Sequence, residues 1–131
     1  MSALLSIDES RFHNLFDVRD LELNEWNNID GMEIKPVLSP HPVETNIFFF
    51  RAMWAKGYKT YAHFADISSL SVMENMLTDN PNEIGMSRAF YEEVKQTYLT
   101  KTDLKKLDIG GGMIHGAAVD FRDDESDKII L

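Results

Sequence analysis

The sequence predicts an α/β domain: a mixed, mainly antiparallel sheet with helices packed on one face. Three observations carry this. Residues 32–38 alternate with period two, and two further apolar runs, 46–54 and 60–67, lie either side of a short turn centred on Gly57. Two later stretches, 70–77 and 87–99, space their apolar residues at helical intervals behind serine caps. At 131 residues, with no internal repeat, low-complexity tract or dividing linker, residues 1–131 fit one domain.

Composition narrows the function. The 44% apolar and 27% charged fractions are those of a folded chain. The formal net charge of -9 argues against a nucleic-acid partner, because a phosphate backbone calls for a basic face. There is no cysteine, so disulfides, thiolate metal sites and a cysteine nucleophile are excluded. The N-terminus lacks the basic start and apolar core of a secretory signal, and the apolar run 47–50 is far too short to cross a bilayer. The expectation is a soluble, cytoplasmic protein with no membrane partner.

Each element has a local reason. Asp8 or Ser10 can cap a short helix through Leu15 and Phe16. Leu21-Glu22-Leu23 alternates like a strand, and Asn27 to Gly31 reads as a turn, with Asp30-Gly31 suited to positive φ. In the strand 32–38, Pro36 removes a ladder donor, which predicts an edge or an early end. The Ser39-Pro40-His41-Pro42 turn is stiffened by its two prolines, which holds His41 in place. The run 46–54 is apolar on both faces and predicts a strand covered on both sides. Its partner, 60–67, sets Tyr61 and His63 on one face, Ala62 and Phe64 on the other, and delivers Asp66 at its end. Ser71 and Glu74 have capping-box spacing at the start of a helix striped by Leu70, Met73, Met76 and Leu77. Ser87 caps a second helix carrying Phe90, Val94 and Tyr98. A short strand at 105–109 runs into Gly110-Gly111-Gly112, a polar connection follows over 117–127, and 128–131 reads as the start of a buried strand.

Histidine and aspartate at strand ends are common ligands for zinc, iron or manganese. His41 precedes the first strand of the predicted hairpin and Asp66 follows the second, so closing the hairpin brings them together. His115, after the glycines, is a third candidate, either reaching the same strand ends or pairing with Asp120 or Asp124. His63 is expected to pack within the core, and Glu44 is a candidate partner to orient His41. The triple glycine lacks the spacing of a phosphate-binding loop.

The order of these pieces resembles the C-terminal half of a metallo-β-lactamase-fold protein. Leu38-Ser39-Pro40-His41-Pro42 is similar to that family's ligand-bearing turn, Phe64-Ala65-Asp66 to its metal-bridging aspartate, and Leu107 to Gly112 to a later strand with its glycines. The family's HxHxDH ligand loop has no counterpart here, and its final histidine would fall beyond Leu131. The resemblance implies half of an αββα sandwich, a fragment of a larger domain, and His41, Asp66 and His115 as contributors to a dinuclear site. It implies a metal-dependent hydrolase acting on an unidentified small molecule, inactive as this chain alone, and paired with the missing half-domain or with a second copy as a homodimer. The competing reading is a small acidic binding or regulatory protein, resembling an immunity protein, without metal or catalysis. It would present Asp120, Asp123, Asp124, Glu125 and Asp127 to a basic partner.

Overall fold

The computed structural model describes residues 8–110 and 115–131. Its sheet runs in sequence order: β1 (Asn27–Ile29), β2 (Met32–Leu38), β3 (Asn46–Trp54), β4 (Gly57–His63), β5 (Leu104–Lys106) and β6 (Ile129–Ile130). The first four strands pair antiparallel as a meander; β5 and β6 join parallel. The α/β class and mixed sheet are therefore as predicted.

Cross-strand partners share a face, which divides the sheet cleanly. Val37, Ile47, Phe49 and Ala62 line one face through the pairs Val37↔Ile47 and Phe49↔Ala62. Against it pack α2 (Leu70–Glu74), α3 (Arg88–Tyr98) and a 3-10 helix (Ala118–Phe121), closing a core that includes Phe64, Met73, Tyr91, Val94, Tyr98 and Phe121. The opposite face carries Ile34, Phe48, Phe50 and Tyr61, half-buried, with the Phe50 and Tyr61 rings stacked at 5.6 Å. The two-sided apolar pattern of β3 thus has one covered side and one open side. A further helix, α1 (Glu9–Leu15), is capped by Asp8, whose side chain accepts from the Arg11 N–H.

Several local expectations are corrected. Leu21 to Leu23 form no strand, because the Asn27 side chain bonds the Glu22 N–H at 2.8 Å and the Glu22 and Glu25 carbonyls at 3.0 and 2.9 Å, folding this segment into a loop. Asn27 to Ile29 are a strand, and the turn is confined to Asp30 and Gly31, both at positive φ (51° and 92°). Pro36 is tolerated inside β2 because β1 reaches only as far as the Asn27↔Ile34 pair. The next hairpin turns one step earlier than Gly57: Trp54 pairs with Gly57 across Ala55 and Lys56, with Ala55 at φ 46°. Ser69, not Ser71, caps α2 through the Val72 N–H. Ile129 and Ile130 lie exposed at the sheet edge instead of buried.

The acidic connection also differs from its expected solvated form. Asp120 is buried and accepts from the Leu70 and Ala117 N–H groups at 3.1 and 3.0 Å. Asp124 is wholly enclosed and paired with the buried ammonium of Lys105, which also donates to the Tyr98 carbonyl at 2.8 Å. Burial pushes the Lys105 pKa down, against the pull of Asp124. Burial pushes Asp124 the other way, yet the bonds from Lys105 and Ser126 prevail and hold its carboxyl below the ordinary range. Burial, and next the Asp120 charge, raises the Tyr98 phenol, which donates to the Ser68 carbonyl at 2.7 Å.

Candidate functional site

Strand direction decides which residues meet. Because β2 and β4 both run antiparallel to β3, and β5 and β6 run parallel to β4, these four strands end on the same edge of the sheet. The segments leaving three of those ends carry ligand-type side chains: His41 after β2, Asp66 after β4 and Asp108 after β5. The β4–β5 register aligns His63 with Lys106, and Phe64 N–H continues the ladder to the Lys106 carbonyl at 2.9 Å. Asp66 and Asp108 therefore emerge side by side. Ligand sites in open α/β sheets gather at such carboxyl ends.

His115 is returned to this edge by a bridge between Ile109 and Gly116. The close approach needs a glycine: a Cβ at Gly116 would lie 2.6 Å from Ile67 Cδ1 and 3.0 Å from the Asp108 carbonyl oxygen. His115 Nδ1 sits 2.5 Å from Asp108 Oδ2. Asp66, Asp108 and His115 each place one ligand atom so that all lie within 4.8 Å of one another, with Asp66 exposed and the other two half-buried.

The His41 turn is tied to this cluster. Ser39, buried, donates its hydroxyl to the Asp66 carbonyl at 2.6 Å. His41 Nδ1 lies 3.2 Å from the Val43 carbonyl and 3.3 Å from the Val43 N–H. Its Nε2 is buried with no hydrogen-bond partner among the described residues. The His41 and His115 rings are 6.4 Å apart, centre to centre.

The structure thus groups Asp66 with His115, sets His41 beside them, and adds Asp108. The signal for Asp108 was in the sequence: Leu107-Asp108 repeats the strand-then-aspartate pattern of Phe64-Ala65-Asp66. The partner of His115 is Asp108, not Asp120 or Asp124, which are occupied inside the fold. Glu44 is exposed and Val43 takes the role expected of it. His63 bonds the Tyr61 hydroxyl at 2.8 Å, on the open sheet face, and burial followed by the nearby Lys106 charge lowers its pKa. Gly111 and Gly112 lie outside the described residues.

Two carboxylates and an imidazole make a donor set suited to zinc, iron or manganese. Metal–ligand bonds of about 2.0–2.2 Å place ligand atoms roughly 3–4.4 Å apart, a spacing this cluster can reach with small rotations. The residues present therefore fit such an ion.

The fold is similar to that of a solved protein. The chain resembles the crystal structure of the metallo-beta-lactamase fold protein YhfI from Bacillus subtilis, with a TM-score of 0.50 and 13% identity, over 93% of this chain and 46% of that one. At this identity the likeness concerns the fold alone, and the chain spans under half the length of that protein. No protein-family profile matches the sequence, and no curated protein matches it. Among the described residues no helix is long and apolar enough to cross a membrane.

Proposed function

We propose that this chain supplies the C-terminal part of a metal-dependent, hydrolase-like site and is inactive by itself. The observation that carries the reading is the convergence of Asp66, Asp108 and His115 at the carboxyl ends of neighbouring strands. These three would hold a zinc, iron or manganese ion, with His41 next to them to complete the ligand set or contact substrate. A bound divalent ion supplies Lewis-acid polarisation of a carbonyl or phosphoryl oxygen. The chain's own part is to position: Asp108 fixes the ring of His115, and Ser39 fixes the His41 turn against the Asp66 loop.

Further ligands would come from the rest of a sandwich whose second sheet covers Phe48, Phe50 and Tyr61. The length relation to the YhfI structure supports that view. A second copy of the chain on the same face is the alternative cover, and size-exclusion chromatography with light scattering separates the two. Of the five acids in the acidic-module reading, Asp120 and Asp124 are committed inside the fold, while Asp123, Glu125 and Asp127 are exposed.

Metal analysis of the purified intact protein tests the proposal. Bound zinc, iron or manganese, or a melting temperature raised by adding one of them, is the expected result. A metal-free protein whose melting ignores all three ions would remove it.

A further inference from the structure

Beside the candidate site lies a cavity of about 560 Å³, which shares the Ser39 to Pro42 turn with it and whose apolar part the proposed chemistry leaves unused. It falls in the size range of small-molecule pockets, which are mostly apolar with a few placed polar groups. Its lining includes Val72 and Met73 of α2, Met76, Met86 and Phe90, and at one end the Ser39 to Pro42 turn with His41. The walls are held in place. Leu77 and Met86 form a bridge, Met86 N–H donates to the Met76 carbonyl at 2.9 Å, and Thr78 N–H to the Met86 carbonyl at 3.1 Å.

Two features point to the occupant. Three methionines give a soft lining that adapts to a flexible hydrocarbon chain. His41, in the cavity lining and with its ring 6.4 Å from that of His115, has a buried nitrogen with no partner among the described residues, a group that costs stability until something bonds it. We propose that this cavity binds the hydrocarbon acyl chain of the substrate, an ester or amide whose polar group bonds His41 while its reacting carbonyl lies toward Asp66, Asp108 and His115. This deepens the hydrolase reading and rests on it for the reaction, but not for the binding.

Calorimetric titration of the intact protein with the neutral amides hexanamide, heptanamide and octanamide tests the pocket without any turnover. Affinity should rise about fourfold per added methylene, the equivalent of about 0.8 kcal/mol. Met76→Trp, at an exposed rim position, and Val72→Phe should each flatten that series while leaving zinc binding unchanged. Circular dichroism and urea unfolding identify any variant that fails to fold, and the series in the unmodified protein stands regardless. A flat series, or one that neither folded variant alters, overturns the pocket. Absence of zinc binding in the unmodified protein, with its own series rising and flattened by the variants, instead removes the hydrolase reading and leaves the acyl pocket standing.

Discussion

Replacing Lys105 with methionine should be strongly destabilising. Lys105 and Asp124 both have fully buried side chains, and Lys105 also lies 5.4 and 6.0 Å from the ring centres of Phe64 and Phe121. Methionine fills a similar volume, so the loss is electrostatic rather than a cavity. It removes the bond to the Tyr98 carbonyl at the end of α3 and strands the Asp124 carboxylate, which keeps the bond from Ser126 N–H at 2.7 Å. Breaking one side of a buried pair costs about 3–5 kcal/mol. For a chain of this length that is a fall in melting temperature of roughly 10–20 °C. Urea unfolding at pH 7 measures it.

The pH dependence supplies a second readout. In the native protein Asp124 has a depressed pKa, so its stabilisation is present above the unfolded value of about 3.9 and is lost as pH falls through the folded one. In Lys105→Met the stranded carboxyl has a raised pKa, so its penalty operates at neutral pH and vanishes as acid protonates it. The gap between the two proteins should therefore narrow as pH falls toward 4, and narrow further below it as the native carboxyl is protonated. The double variant Lys105→Met/Asp124→Asn should regain half or more of the loss. A single variant within about 1 kcal/mol of the parent, or a double variant no better than the single, would refute this account of the core.

Two further predictions concern the site and the open face. Gly116→Ala should destabilise the protein by about 1–3 kcal/mol through the clash with Ile67 and the Asp108 carbonyl, and should weaken metal binding by displacing His115; equal unfolding midpoints and metal affinities in the two proteins would contradict it. His63 has a pKa lowered by burial and then by Lys106, so the folded state favours its neutral ring, and stability held above the unfolded value of about 6.5 is lost as pH falls through it. The urea midpoint should drop less between pH 7.5 and 5.5 in His63→Gln than in the parent, and identical drops would show that His63 is not the titrating group.

The fold was legible where one face of an element is buried. Strands β2 and β3 carry uninterrupted period-two or apolar runs, and α3 carries its serine cap and stripe at the positions the structure gives them. Legibility failed where a side chain stands in for backbone. The Asn27 amide closes a loop that alternation alone presents as a strand, and Asp120 and Asp124 sit in a hydrophilic run that reads as surface. No periodicity encodes a buried ammonium calling an acid inward. The site was half legible for a different reason. His41 and Asp66 flank one hairpin, so local geometry unites their segments, whereas Asp108 joins Asp66 through a parallel pairing whose strands lie far apart in sequence. His115 reaches the same edge across that distance by the Ile109↔Gly116 bridge.

Titration of the intact, metal-stripped protein with zinc and manganese, alongside Asp66→Asn, Asp108→Asn and His115→Gln, tests the central claim most directly. The account predicts saturable binding in the parent, weakened at least 10–100-fold by each substitution, with Asp108→Asn as damaging as Asp66→Asn. No saturable binding in the parent, or equal affinity in all four proteins, would contradict it.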